Sequence, residues 1–277
     1  MNLGISVIIP TYNEVKHIAN CLKSLLNQTL KPTEIIVVDD GSSDDTMPEI
    51  QRLQKTLPKI KLFKQPHQGP GTARNLGSRQ ASGGILVFVD ADMEFDQGFL
   101  HQLTLPIFKH RAIGTWSGSE YVKNWHNLWA RCWNYNQNRS DARMVGDSQS
   151  QKKVFRAILK SEFEKVKGFD IIGYTDDWTL GSKLGVEPKT TYAKFYHHNP
   201  SSLTAVFTQA SWIGKRQYKL GWFGTLITIM RANAGFSVLI GLYKSFRYFS
   251  PQFCIFKLVY DLGITWGAIT SLFGEKY

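Results

Sequence analysis

Two pairs of carboxylates punctuate the first hundred residues, each at the end of a short apolar run. Val37-Val38 leads into Asp39-Asp40-Gly41-Ser42-Ser43-Asp44-Asp45, and Ile85–Val89 leads into Asp90-Ala91-Asp92. A carboxylate at such a strand end can accept a hydrogen bond from the N3–H of a uracil, or from the N1–H and N2–H of a guanine. Asp40 is the candidate for that contact. The competing use is helix capping, which suits Asp44 and Asp45 better. Asp90 and Asp92, two positions apart on a turn, suit a hard divalent cation. Mg²⁺ or Mn²⁺ takes oxygen ligands and leaves positions open for substrate phosphates. Held there, it would neutralise the charge that builds on a departing diphosphate. Taken alone, D-x-D is common in solvated loops. After a fully apolar strand and beside a second Asp pair it carries more weight.

Three further groups of residues could share that chemistry. Gly69-Pro70-Gly71-Thr72-Ala73-Arg74-Asn75 opens a helix with glycines. Backbone N–H groups at a helix start suit an anion, and Arg74 suits a phosphate, although an ordinary turn would use the same residues. In Tyr174-Thr175-Asp176-Asp177-Trp178 the adjacent carboxylates repel each other. That raises the pKa of one and fits it to act as a base toward a sugar hydroxyl. Either Asp could equally cap a following helix, and a helix start is a rigid mount for a base. Later, His197 offers an imidazole to complete a metal shell, against a structural role, and Lys215 and Arg216 offer cations for a diphosphate.

The elements that must position these groups follow from periodicity. Ile5–Ile9, Glu34–Asp39, Ile60–Lys64 and Ile85–Asp90 read as strands. Glu14–Asn27, Asp45–Leu57 and Gly71–Ala81 carry helical spacing between them. Alternating strands and helices predict βαβ units and a mostly parallel sheet, which binds ligands beyond the carboxyl ends of its strands. The polar residues gather at those ends: Pro10-Thr11-Tyr12-Asn13-Glu14, Asp39-Asp40 and Asp90-Ala91-Asp92. A basic helix is expected over Leu203–Leu220, followed by apolar stretches over Trp222–Phe246 and Phe253–Phe273. The 277 residues carry 33 Lys+Arg against 22 Asp+Glu, a formal net charge of +11. That charge points to anionic partners. Three distant cysteines match neither a disulfide framework nor a zinc site, and a reducing compartment fits them. With 43% hydrophobic and 20% charged residues, disorder is excluded. The N-terminus reads straight into a strand, without a secretory pattern.

Together, these motifs resemble family 2 glycosyltransferases of the GT-A fold. Ser6–Glu14 is similar to the family's opening strand and Val37–Asp45 to its second-strand signature. Gly69–Gly77 resembles its Gly-x-x-x-Ala-Arg-Asn segment, Asp90-Ala91-Asp92 its D-x-D, and Gly168-Phe169-Asp170 through Asp176-Asp177 its Gly-Phe-Asp…Glu/Asp-Asp segment. The resemblance covers roughly Leu3 to Lys219. It implies inverting transfer of a sugar from a UDP- or GDP-sugar to a hydroxyl, with a divalent cation, Mn or Mg. Pro10, Thr11, Tyr12, Glu14, Asp39 and Asp40 would lie along the nucleotide with Gly71, Arg74, Asn75, Asp90, Ala91, Lys215 and Arg216. Asp92, with Asp90 and His197, would hold the metal. Asp177, with Asp176 beside it, takes the position of the family's base. The usual Glu-Asp pair is Asp-Asp here, and the Gln-x-x-Arg-Trp motif of processive members is absent, since Gln209-Ala210-Ser211-Trp212 lacks the Arg.

The expected organisation is a nucleotide-sugar-binding half over 1–110, an acceptor-binding half over 111–220, and membrane-associating apolar helices over 221–277. Trp125, Trp129 and Trp133 recur every fourth residue, which predicts one helical face, either stacked on sugars or packed in a core. Lys257 and Asp261 are spaced to pair within a helix. Basic, aromatic, apolar helices of this kind favour the interface of an anionic leaflet over a full span. The expected setting is therefore the cytoplasmic face of the membrane, with a lipid-linked or glycan acceptor. A polyprenyl-phosphate sugar synthase is the alternative enzyme. A basic nucleic-acid-binding protein is a further alternative, but no recognition helix or RNA-binding signature supports nucleic acid as a partner.

Overall fold

The computed structural model describes residues 3–144, 154–171, 176–215 and 221–273. In chain order the elements are β1 (Ile5–Thr11), α1 (Ile18–Leu26), β2 (Glu34–Asp39), α2 (Thr46–Gln54), β3 (Ile60–Lys64), α3 (Pro70–Gln80), β4 (Ile85–Phe88), β5 (Met93–Phe95), α4 (Phe99–Phe108), β6 (Gly114–Ser117), β7 (Glu120–Val122) and α5 (Leu128–Asn136). Then come β8 (Ala157–Leu159), α6 (Lys160–Lys165), a 3₁₀ turn (Asp176–Trp178), α7 (Thr179–Leu184), β9 (Lys189–Thr191), β10 (Phe195–His197), α8 (Leu203–Gly214), α9 (Gly221–Arg231), α10 (Ala234–Arg247) and α11 (Phe253–Leu272). They fall into two compact units. The first runs to Tyr121 and resumes with β8, α6 and the segment Asp176–His197. The second holds α5 and everything from His198 onward.

The first unit is built on a seven-stranded sheet ordered β3-β2-β1-β4-β8-β6-β9. β1 pairs in parallel with β2 and β4, β2 with β3, and β6 with β9, while β8 runs antiparallel to both its neighbours. All seven residues of β1 are buried, as expected of a central strand covered on both faces. Ile5, Val7 and Ile9 face one core with α1 and α4. Ile8 faces the other with Ile36, Val38, Phe163 and Phe169. Gly77 lets α3 lie close on that second face, since a Cβ there would come within 2.6 Å of Ile8 Cγ2. From β1 the chain winds outward through β2 to β3, then returns to β4 on the opposite side of β1. The carboxyl ends of β1 and β4 therefore flank a topological switch point. A second, three-stranded sheet has the order β5-β10-β7.

The second unit departs from one expectation. Asn127 caps α5, accepting from the backbone N–H groups of Trp129 and Ala130. Trp125 thus precedes the helix, and the three tryptophans share no helical face. Trp133 is core, packed edge-on to Phe256 and Tyr260. The apolar run from Trp222 forms two helices, with a bend of 58° between α9 and α10. Asn233 sets the break by accepting from Phe236 N as the cap of α10. Lys257 and Asp261 do pair, at 2.6 Å, and Ser237 of α10 donates to the other Asp261 oxygen at 2.6 Å.

At the amino ends of the central strands, Glu34 gathers β1, β2, β3 and the turn before β4. Its Oε1 accepts from Ser6 Oγ (2.6 Å), Ser82 N (2.6 Å) and Ser82 Oγ (2.8 Å), and Oε2 meets Lys61 Nζ at 2.6 Å. Burial alone would raise its pKa, but Lys61, Ser6 and Ser82 override that and hold it at about 2, against an ordinary 4.5. A lowered folded-state pKa stabilises above the unfolded value and loses that contribution as pH falls. Glu34→Ala should therefore cost about 2–3 kcal/mol at pH 7. In urea titrations the wild type should lose stability between pH 4.5 and pH 2 more steeply than Glu34→Gln. Parallel curves would refute this account of Glu34.

Candidate active site

The loops beyond β1 and β2 are stitched to one another. Asn13, at a left-handed φ of 57°, accepts from Ser43 N (2.8 Å) and Asp44 N (3.3 Å), and donates its own N–H to Ser42 Oγ at 2.9 Å. Asp44 Oδ1 accepts from Thr46 N at 3.0 Å, whereas Asp45, at the N-cap of α2, makes no side-chain capping hydrogen bond. Asp40 is buried and fully engaged by the loop after β3. Its Oδ1 accepts from Gln65 Nε2 (2.7 Å) and Gln68 N (2.8 Å), and Oδ2 accepts from Gly69 N (2.9 Å) and lies 2.9 Å from His67 Nδ1. Both oxygens thus shape the turn leading into Gly71 and α3. The Tyr12 ring stacks on His67 at 4.1 Å between centroids. Beside them, Asp39 Oδ2 accepts from Ser42 N, while Asp39 Oδ1 and Thr11 Oγ1 are buried with no hydrogen-bond partner among the described residues. Thr11 and Asp39 are register partners at the ends of β1 and β2.

Beyond β4 the charges interlock. Asp90 Oδ1 accepts from Arg74 Nη2 at 2.6 Å, and Oδ2 lies 3.3 Å from Arg156 Nη1. Burial would raise the Asp90 pKa, but the two guanidiniums reverse this and hold it below the carboxylate range. Asp90, expected to share a cation, therefore has both oxygens facing guanidiniums. Arg74 sits 5.9 Å from the Phe169 ring and Arg156 5.3 Å from the Phe195 ring. Asp177, in the 3₁₀ turn before α7, belongs to the same cluster. Burial and then the Asp90 charge raise its pKa, against the pull of Arg74 and Arg156. Asn75 clamps the neighbouring turn through Phe169, donating to its carbonyl and accepting from its N–H, each at 2.9 Å.

Asp92 Oδ2 lies 2.8 Å from His197 Nε2, and the other ring nitrogen, Nδ1, lies 3.0 Å from Glu120 Oε1. Burial would lower the His197 pKa, but Asp92 and Glu120 lift it well above the ordinary value. Glu14 faces this pair. Burial, then the Asp92 charge, raises its pKa to about 8. Among the described residues no three His, Cys, Asp or Glu side chains form a complete metal cage. Asp92 and His197 are the side chains here that could supply oxygen and nitrogen ligands to a cation whose remaining positions substrate phosphates would fill.

The first unit thus brings together the loops carrying Pro10, Thr11, Tyr12, Glu14, Asp39, Asp40 and Gly71 with Arg74, Asp90, Ala91, Asp92, Asp177 and His197. Lys215 belongs to the second unit. Arg216 and the side chain of Asp176 lie outside the described residues. Arg156 and Glu120 escaped the sequence reading because neither lies in a motif. The only signal was position: Arg156 precedes the apolar β8, and Glu120 opens β7.

The chain belongs to glycosyl transferase family 2, whose model matches residues 6–163. It is 45% identical over 218 residues to the GalNAc(5)-diNAcBac-PP-undecaprenol beta-1,3-glucosyltransferase of Campylobacter jejuni, covering 75% of this chain and 66% of that one. It is 34% identical over 108 residues to the glycosyltransferase GlyA of Streptococcus pneumoniae, covering 39% and 16%. The chain therefore spans just under two thirds of the first relative and a small part of the second. Among solved structures, S. aureus TarS 1–349 in complex with UDP-GlcNAc superposes with a TM-score of 0.55 over 99% of this chain and 93% of that one, at 18% identity. At that identity the likeness is one of fold, the GT-A arrangement of a sheet flanked by helices.

Because Asp40 is the acceptor for two backbone N–H groups, its loss should be felt locally. Asp40→Ala should lower stability by about 2–4 kcal/mol and deprotect the amides of Gln68 and Gly69. Asp40→Asn, which keeps one acceptor oxygen, should do less. Amide hydrogen exchange checks this, and unchanged protection at both amides would contradict it.

Proposed function

We propose that this enzyme transfers a sugar, with inversion, from a UDP- or GDP-sugar to a hydroxyl of a lipid-linked glycan acceptor. The observation that carries the reading is the charged cluster at the β1/β4 switch point. There Asp92 and His197 are paired, and Asp90 and Asp177 share two guanidiniums. The nucleoside lies along the ends of β1 and β2. The buried Asp39 oxygen and Thr11 hydroxyl lack partners, and such groups are costly until an N–H or O–H satisfies them. Asp40 holds the loop that carries His67 under Tyr12, and so shapes the wall of the base pocket.

The diphosphate comes to rest near Asp92 and His197, which would hold Mn²⁺ or Mg²⁺. When bound, the cation supplies positive charge against the departing nucleotide diphosphate. Arg74 and Arg156 keep Asp90 ionised and fixed. Asp177 takes the proton from the acceptor hydroxyl as its oxygen bonds to the anomeric carbon. The bond from that carbon to the diphosphate oxygen breaks on the opposite face, and the electron pair leaves with the nucleotide. The raised pKa of Asp177 suits a general base. Asp177→Asn should lower kcat by about 10²–10⁴-fold, with donor binding by thermal shift unchanged, and should abolish an acid limb that sits above the ordinary carboxylate range. The assay is release of nucleotide diphosphate across a panel of nucleotide sugars with metal. Full turnover by Asp177→Asn would favour a phosphate acceptor, which needs no base. Insensitivity to chelator would remove the cation.

The acceptor class is supported by the Campylobacter relative, whose name specifies an undecaprenol-linked substrate, and by the second unit. α9, α10 and α11 expose Trp222, Met230, Leu239, Phe246, Leu262 and Trp266, each more than half accessible. Apart from the paired Asp261, the described residues of 221–273 carry no acid, and of their four bases Arg231 and Arg247 are exposed while Lys244 and Lys257 are buried. An apolar face with basic residues fits the cytoplasmic interface of an anionic leaflet. Phe246→Glu with Phe249→Glu should cut partitioning onto anionic vesicles more than about tenfold without changing the melting temperature. Protein that stays with membranes after a carbonate wash would instead indicate that α11, which is long and apolar enough to span, crosses the bilayer.

A further inference from the structure

We infer that Glu120 is a positioning residue of the cation site, fixing the His197 ring so that Nε2 is presented to the position shared with Asp92. This deepens the proposed function and rests on its assignment of Asp92 and His197 to the cation. The three side chains come from three adjacent strands of the small sheet. Asp92 immediately precedes β5, His197 ends β10 in register with Met93, and Glu120 opens β7. The sheet thus sets a carboxylate, an imidazole and a second carboxylate in line, with Nε2 to Asp92 at 2.8 Å and Nδ1 to Glu120 at 3.0 Å. Glu120 has the least accessible side chain of the three, at 16% against 26% for His197 and 24% for Asp92.

An ionised carboxylate only accepts hydrogen bonds, so the Glu120 contact keeps the hydrogen on Nδ1. A metal binds Nε2 by displacing the proton that otherwise faces Asp92, so with Nδ1–H held by Glu120 the lone pair it takes is the one on Nε2. Metal-binding histidines commonly owe tautomer and ring orientation to an outer carboxylate of this kind. Loss of that carboxylate costs about 10–100-fold in metal affinity. No motif marks Glu120. What assigns the role is geometry: among the described residues the one side-chain hydrogen bond of Glu120 goes to His197.

The test uses the full chain, with Mn²⁺ binding followed by the electron paramagnetic resonance of the free ion, in the presence of UDP. Glu120→Ala should raise the Mn²⁺ Kd by about 10–100-fold, and Glu120→Gln, which keeps an acceptor oxygen, should recover most of that loss. Melting temperatures without metal separate this from a general loss of fold. A second reading uses the unmutated protein: with Mg²⁺ and UDP bound, the nitrogen-15 spectrum of His197 should show Nδ1 protonated and Nε2 unprotonated. If Glu120→Ala binds Mn²⁺ as the wild type does while His197→Ala and Asp92→Asn bind weakly, the inference fails and the proposed cation site stands. The inference also fails if the spectrum shows the opposite tautomer. If His197→Ala and Asp92→Asn leave Mn²⁺ binding unchanged, or the wild type binds none, both fall together.

Discussion

The first unit depends on keeping five carboxylates in one small volume without expelling them into water. Glu14, Asp90, Asp92, Glu120 and Asp177 act on one another or on shared cations. Like charges this close cannot all ionise unopposed. Two guanidiniums, a shared imidazole and one proton resolve the conflict. Arg74 and Arg156 hold Asp90, His197 lies between Asp92 and Glu120, and Glu14 keeps its proton up to a pH of about 8. The carboxylates are thus held in place by opposing charge and by one retained proton rather than by water.

That balance is available only because of topology. β1 and β4 lie side by side and parallel, so the residues after Thr11 and after Phe88 leave the sheet at the same edge. β8 enters antiparallel beside β4. This carries Arg156, the residue just before it, to the carboxyl end of β4, where Asp90 sits. In a uniformly parallel sheet the residue preceding β8 would lie at the opposite edge, far from Asp90. The one reversed strand in the sheet is thus what supplies the second guanidinium.

The parts legible in the sequence were those whose signal is local. The first four strands and the helices between them announced themselves by period. β2 and β3 matched their expected bounds, and β4 ended two residues early, at Phe88, where Asp90 and Asp92 turn away to separate partners. Lys257 found Asp261 at the spacing that lets them pair. What stayed hidden was set by the tertiary arrangement. Asp40 had the look of a ligand contact, yet four protein donors occupy it, because the β3–α3 loop folds back over the end of β2. Arg156 and Glu120 stand alone in the chain and matter through strands that come from elsewhere. The tryptophan spacing misled because a single Asn capping interaction, at Asn127, outweighs a four-residue repeat in deciding where a helix begins.

In the second unit the polar residues are spent internally. Lys257 and Asp261 are buried with Ser237 between α10 and α11, and Lys244 donates to the carbonyls of Tyr135 and Asn136 at the end of α5. Burying an ion pair rarely stabilises more than an apolar pair of the same volume would. Here it fixes the register of two helices whose outer faces offer none, because those faces are almost uniformly apolar and would pack equally well in several rotations. Close backbone contact does the rest. Gly263 leaves no room for a side chain against Phe207 O of α8, 2.7 Å from where a Cβ would stand. With orientation set by buried polar groups and by glycine contacts, the outward surface is released from any packing duty. A face that need not specify the fold is free to be as apolar as a lipid interface requires.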